Sequence, residues 1–428
     1  MNQTQKGIRS LKIFGKMTGG YFIATIINNA LPFLLLPLLT RFLTPEDYSY
    51  IALFTAFTAI VNSLTGLSLE SYIAKYFFDH PRSFIAKIIG NGLLVLFGLN
   101  LAVCAVFYLT YSQLSGLYGL PLLWVLLIPA NSFAYQLFFI LLAILRNRKK
   151  VLAFSMNQIS NTVLNVSITI LFVVIVVFGW QGRLLGILLA NIFSAGFALF
   201  YLKHKGFLSF SIDFKIAGNI IRFILTLIPN SLQSVIVNRI GIFFMQVYFT
   251  RELLGIFSVG FQIAYVVMIV IITLNLSWTP FLFEQLAGNK QTNKTHIIQM
   301  FYLHFVVVIL GFLFVNLASG LVLKIMTTEM YYEAEQFILW LTLGMVFNGL
   351  AIFIQPILIK YNRQKFLGIF SAINLLLMLL IHYVCIKYFG YMGVAYAYFL
   401  TYLIMFVVIF IKAEQTMSLP WLKPLKNN

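Results

Sequence analysis

Acid–base and metal chemistry both need titratable or ligating side chains that converge. This chain offers few: five histidines (80, 204, 296, 304 and 382), two cysteines (Cys104 and Cys385), and 11 Asp and Glu in 428 residues. The histidines are scattered, each fits a structural role, and no Asp-x-Asp pair or metal-spaced cluster occurs. Each cysteine sits inside an apolar run, which suggests neither a disulfide framework nor a metal framework. No catalytic constellation is visible, and no cofactor or metal is called for. What remains is a set of amides and one cation inside apolar surroundings. Asn157, Asn161 and Asn165 recur at four-residue spacing and put three amides on one helix face. They suit either sugar hydroxyls or hydrogen bonds between membrane helices.

Arg239 is the cation. It lies about 15 Å below the outer end of its span, at 1.5 Å per residue. An intramembrane Arg is costly and faces either a cavity or a partner. On a helical wheel it shares one half with Asn230, Ser231, Ser234, Asn238 and Gln246, while the opposite half is apolar except for Gln233. Asn28 and Asn29 form a similar pair near Pro32 and Pro37, two positions where the first span could bend. Glu70 either titrates in ion coupling or pairs with Lys75 or a neighbouring helix. Arg41 stands at the outer mouth, either as an attractor of anions or as a solvated loop cation. The Arg146–Lys150 run suits anionic headgroups.

The elements that carry these residues follow from composition. Apolar residues make up 61 % and charged residues 9 %, with mean hydropathy +0.94. So few charges cannot cover a soluble fold, and a bilayer crossing takes about 20 residues of helix. The chain reads as an all-α polytopic membrane protein. Twelve spans are expected near 17–40, 48–74, 84–109, 117–145, 151–178, 184–202, 218–249, 253–281, 296–323, 336–359, 366–387 and 391–411. The basic N-terminal segment lacks a short apolar core with a cleavage site, so the first span is expected to stay in the mature protein. Of the 29 Lys and Arg, 23 fall on the side of the termini and five opposite (Arg41, Arg183, Arg251, Lys324 and Lys387), with Arg239 inside a span. The positive-inside rule then puts both termini in the cytoplasm and attributes the +18 charge to loops, not to nucleic-acid binding.

The halves resemble each other. Phe42-Leu-Thr44-Pro-Glu46 returns as Tyr248-Phe-Thr250-Arg-Glu252 after the seventh span, shifted by 206 residues. Asn147-Arg148-Lys149-Lys150 returns as Asn362-Arg363-Gln364-Lys365, shifted by 215, and Phe178-Gly179-Trp180-Gln-Gly182 as Phe389-Gly390-Tyr391-Met-Gly393, shifted by 211. Gly182, Gly186, Ala190, Ser194 and Ala198 make a small-residue stripe that Gly393, Ala397 and Thr401 begin to repeat. Six spans per half give parallel repeats, the plan of transporters with a central site. The expected domains are 1–205 and 206–428, each a six-helix bundle.

The basic N-terminus, Leu36-Pro37-Leu-Leu-Thr40-Arg41, the Thr-Pro-Glu-Asp-Tyr turn, Gly66-Leu-Ser-Leu-Glu70, Gly255-Ile-Phe-Ser258 and Trp278-Thr-Pro280 together resemble the polysaccharide transporters. These are the Wzx-type O-antigen and capsule flippases, in one superfamily with multidrug and toxic-compound extruders and lipid II flippases. The resemblance implies two six-helix bundles facing each other in a V, as in those extruders. It implies undecaprenyl-diphosphate-linked oligosaccharide as substrate, moved across the bacterial inner membrane by alternating access with H⁺ or Na⁺ as coupling ion. Membrane lipids, a polysaccharide polymerase and a chain-length regulator are the further partners it brings in. On this resemblance Arg239, Arg41, Asn238, Asn230, Asn157, Asn161, Asn165, Asn28 and Asn29 are candidates for substrate binding, and Glu70 for ion coupling. The alternatives are a lipid II flippase, a multidrug extruder and, from another class, a membrane polymerase or glycosyltransferase. An extruder of organic cations should place an acid deep in its cavity, whereas the deep charge here is basic; short outer loops oppose a polymerase.

Overall fold

The computed structural model describes residues 33, 35–66, 69–286 and 294–421. Every regular element among them is helical: α1 (Leu36–Phe42), α2 (Pro45–Thr65), α3 (Leu69–Tyr76), α4 (Arg82–Tyr118), α5 (Leu122–Asn147), α6 (Val151–Ile170), α7 (Gly179–His204), α8 (Phe214–Tyr248), α9 (Arg251–Gln285), α10 (Lys294–Met326), α11 (Glu335–Lys360), α12 (Gln364–Phe389) and α13 (Met392–Thr416). A π turn follows α6 at Leu171–Ile175, and a 3-10 turn precedes α11 at Glu329–Ala334. Among the described residues ten helical stretches are long and apolar enough to cross a bilayer, and a bent pair makes an eleventh. That pair is α8, whose parts Phe214–Pro229 and Ser231–Tyr248 meet at 44°. Pro229 explains the bend, because it removes a backbone donor and its ring crowds the preceding turn. The expected first span lies outside the described residues except for 33 and 35–40, and each of the other eleven is met by an observed stretch, the sixth starting at Gly179 and not at 184.

The described chain forms two compact units, one from Asp47–Arg239 and one from Leu36–Glu46 with the described part of Ile240–Asn428. The repeat boundary expected at 205/206 lies within the first of these units, and the linker chemistry shows what ties the residues after it to that unit. Asn91, fully buried on α4, donates from Nδ2 to the Ser211 carbonyl at 2.9 Å and accepts at Oδ1 from the Asp213 backbone N–H at 2.8 Å. Beside it, Ser209 N–H bonds the Ala86 carbonyl. Phe207 is buried with the Arg82 and Arg148 guanidiniums over its ring, at 4.6 and 5.4 Å. The connection after α7 is thus strapped to α4, and Ile220 and Ile224 of α8 continue the first unit's core.

A similar argument puts α1 in the second unit. Thr40 Oγ1 donates to the Met326 carbonyl at 2.9 Å, and Tyr331 OH donates to the Leu43 carbonyl at 2.8 Å. Gly255 sits directly under the Pro45 carbonyl, where a Cβ would overlap the backbone. The two related motifs, after the first and seventh spans, pack on each other.

Backbone geometry repeats too. Gly179, the first residue of α7, and Gly390, just before α13, both have positive φ (+57° and +58°), at the offset of 211 found in the sequence. The turns after α5 and α11 close alike, with Lys149 and Lys150 N–H on the carbonyls of residues 146 and 145, and Asn362 and Arg363 N–H on those of 359 and 358. Their structural offset is 213, so the match of Asn147 with Asn362 stands two residues out of register. Gly182 is pressed against the Phe172 backbone and Gly393 against the Cys385 backbone, so the small-residue stripes serve close helix approach.

Gly255→Ala should lower the thermal unfolding temperature of the purified protein, at a cost of about 1–3 kcal/mol from overpacking. Gly98→Ala, whose Cβ would meet open space, should leave it unchanged.

Candidate functional site

The first unit contains a cavity of about 220 Å³ bounded by α2, α5, α6 and α7. Each helix contributes amides at the turns that face inward: Asn62 from α2, Asn131 from α5, Gln158, Asn161 and Asn165 from α6, and Asn191 from α7. Thr58 and Tyr135 add hydroxyls, and Phe54, Phe138 and Phe139 add aromatic surface. The lining contains no carboxylate and no cation.

The amides hold one another in place. Asn161 Nδ2 donates to Ser194 Oγ at 2.9 Å, Asn191 Nδ2 to Asn131 Oδ1 at 2.9 Å, and Asn131 Nδ2 to Thr58 Oγ1 at 3.4 Å. A second cluster lies beside them, where Ser132 Oγ donates to Asn62 Oδ1 at 2.8 Å and Gln136 Nε2 to Thr65 Oγ1 at 2.6 Å. These bonds leave specific atoms unused among the described residues: Asn161 Oδ1 accepts nothing, and Asn62 Nδ2 and Asn165 Nδ2 donate to nothing. The Gln158 side chain is nine-tenths buried, and its Oε1 has no hydrogen-bond partner. A buried amide without partners costs free energy unless a guest or water completes it. Donors and an acceptor together in one wall suit a hydroxyl, which can give and take.

Arg183 lies behind this wall. Counted from sequence among the loop cations, it is instead the fifth residue of α7 and is buried at 8 % exposure. Its Nη1 donates to Asn165 Oδ1 and, at 2.8 Å, to Thr169 Oγ1. The helix begins at Gly179, several residues before the expected start at 184, because the positive φ of Gly179 ends the preceding loop there.

The other candidates are placed as follows. Asn161 and Asn165 line the cavity; Asn157 does not, since its Nδ2 returns to the Ala153 carbonyl at 2.8 Å. Arg239 is half-buried at the last position of the first unit. Asn238 donates to the Ser234 carbonyl of its own helix at 2.8 Å, and Ser231 Oγ faces the Leu227, Ile228 and Ser63 carbonyls. Arg41 is exposed in the last turn of α1 and is absent from the cavity lining. Asn28 and Asn29, and the side chain of Asn230, lie outside the described residues.

Glu70 pairs with Arg146 of α5 at 3.4 Å, so its partner comes from the neighbouring helix and not from Lys75. Lys75 sits over the Tyr76 and Phe223 rings at 5.2 and 5.9 Å. Glu70 borders a void of about 10 Å³ that shares Tyr135 and Phe139 with the main cavity. The sequence reading missed Asn62, Asn131, Gln158, Asn191 and Arg183. The available signal was polar residues one helical turn apart, Gln158 with Asn161 and Asn191 with Ser194, in otherwise apolar spans.

Comparison with known proteins now decides the family. Residues 14–286 match the family described as polysaccharide biosynthesis protein. The chain belongs to that family. Two relatives from Haemophilus influenzae fit the assignment: an uncharacterized membrane protein, 26 % identical over 284 residues (64 % of this chain, 67 % of the relative), and the Lsg locus putative protein 1, 25 % identical over 280 residues (63 % and 66 %). The match thus spans about two thirds of each relative. An inward-facing multidrug resistance MATE family transporter of the MOP superfamily superposes with TM-score 0.72 at 14 % identity, covering 91 % of this chain and 94 % of that one. A Vibrio cholerae MATE transporter in a bent form gives TM-score 0.56 at 11 % identity, covering 95 % and 98 %. The fold is MATE-like.

In a double-mutant cycle, Asn131→Ala and Asn191→Ala should show a coupling between about 0.6 and 1.7 kcal/mol, the average and the maximum for hydrogen bonds between membrane helices. Unfolding of the detergent-solubilised variants measures it.

Proposed function

We propose that this transporter is a flippase for undecaprenyl-diphosphate-linked oligosaccharide, carrying the glycan from the cytoplasmic to the outer leaflet of the bacterial inner membrane by alternating access. The supporting observation is the amide-lined, carboxylate-free cavity in a member of a polysaccharide biosynthesis family. Sugar hydroxyls cannot cross hydrocarbon bare, because each unpaired polar group costs several kcal/mol there. A wall that presents spare amide donors and acceptors replaces their water. The polyprenyl tail needs no such shelter and stays in lipid. Arg239 is our candidate for the diphosphate, since an intramembrane cation offsets part of the desolvation cost of an anion. The second candidate reading, an extruder of organic cations, calls for an acid in the cavity, and the lining supplies none.

Coupling is assigned to Glu70. Its carboxylate is partly shielded, is held by a single 3.4 Å pair, and borders the cavity wall through Tyr135 and Phe139. Both termini, with the basic loops, are placed in the cytoplasm. O-antigen and capsule repeat units are the substrate classes we assign, and the polymerase and chain-length regulator act downstream of the transported glycan.

Translocation of a fluorescent undecaprenyl-diphosphate-oligosaccharide into proteoliposomes tests this. The intact chain should move it; Asn161→Leu and Arg239→Ala should each slow it by at least about tenfold, the loss of roughly 1.4 kcal/mol of binding. Small organic cations moving in place of the lipid-linked glycan would replace the flippase with an extruder. A separate measurement addresses coupling: an imposed pH gradient should accelerate the intact protein and leave Glu70→Gln unaffected, whereas equal acceleration of both would remove Glu70 from that role.

A further inference from the structure

No carboxylate among the described residues pairs with the Arg183 guanidinium; the ionisable group set against it is the neutral Tyr48 phenol. Its hydrogen bonds go to two neutral oxygens, Asn165 Oδ1 and Thr169 Oγ1, and its Nε–H is buried with no partner at all. Glu70, the acid that borders the cavity wall, is already paired with Arg146. A buried cation held by neutral groups is expensive, and an anion brought alongside relieves that cost. The location matters as much as the charge. Asn165 lines the cavity while its Oδ1 rests on Arg183, so the guanidinium stands one hydrogen bond behind the cavity wall.

We propose that the first-unit cavity is a subsite for an acidic monosaccharide, with the sugar hydroxyls on the amide wall and the carboxylate drawn to Arg183. This assignment rests on the cavity being a sugar site. A planar guanidinium matches a carboxylate through two parallel N–H···O bonds, which a point-like ammonium cannot do. An entering carboxylate takes the place of Asn165 Oδ1 on Nη1 and frees that amide oxygen for a hydroxyl donor. The cavity volume of about 220 Å³ suits a single ring. A diphosphate fits less well: it brings two or more charges to one guanidinium and has little use for Asn62, Gln158 and Asn161.

Trp124 offers a reporter, since it packs edge-on at 6.3 Å against Phe54, which lines the cavity. Its fluorescence in the full-length protein, reconstituted in nanodiscs, is titrated with D-glucuronate, D-glucose and sodium phosphate at constant ionic strength. D-glucuronate should bind at least tenfold tighter than D-glucose, with phosphate weaker than both. Arg183→Gln should bring D-glucuronate to the affinity of D-glucose while leaving D-glucose unchanged, and Arg183→Lys should keep part of the preference. Should Arg183→Gln fail to fold, the intermediate preference of Arg183→Lys against the intact chain decides the question. Equal affinities in the intact protein, a preference that survives Arg183→Gln, or phosphate matching D-glucuronate would each overturn the proposal. A saturable D-glucose signal without the acidic preference sinks this inference alone. No saturable signal with either sugar removes the sugar site too, and proteoliposome translocation then reports separately on the flippase.

Discussion

Inside hydrocarbon there is no water to complete a hydrogen bond, so each buried polar group must find its partner within the protein. The first unit is organised around this constraint. Six amides from four helices line its cavity, and part of their capacity is spent on each other and on hydroxyls such as Ser194 and Thr58. The same bonds that fix the helices fix which amide atoms remain open. A binding wall made this way is pre-organised, because its orientation is set by packing and not by the guest.

Close approach of backbones is the second requirement, and the repeated glycines supply it. Gly182 and Gly186 let α7 settle against the π turn and Thr169 of α6, which brings Asn161 within reach of Ser194 and Asn191. A larger side chain at either glycine would separate those helices and stretch the amide contacts between them. The stripe of small residues and the polar cavity are thus two sides of one helix pairing.

Much of this was legible in the sequence. Apolar length gave the spans, since a bilayer crossing is a one-dimensional property of the chain. Repeat spacing was readable at Gly179 and Gly390, where a positive φ restricts the residue; it slipped by two at Asn147 and Asn362, where turn closure and not residue identity sets the register. Helical spacing groups Asn157, Asn161 and Asn165 on one face; Asn161 and Asn165 line the cavity, while Asn157 turns back to its own helix carbonyl, a choice that spacing does not decide. Arg183 was hidden by a helix start set too late. The sequence offers Glu70 ion coupling or a pair with Lys75 or a neighbouring helix, and its partner Arg146 depends on how α3 meets α5, which is not written in local sequence. The boundary at 205/206 followed the internal repeat, whereas the strap held by Asn91 and Phe207 carries the first unit further along the chain.

The exchange of segments between units has a consequence for heredity as well as folding. Leu36–Glu46 belongs with the second unit, and the stretch from the strap to Arg239 belongs with the first. A gene split at the repeat would encode two polypeptides, each carrying a segment that completes the other and lacking one of its own. Such fragments should function only when made together, like the two chains of an obligate heterodimer, and a cut within the loop after α8 would divide the chain closer to its physical seam.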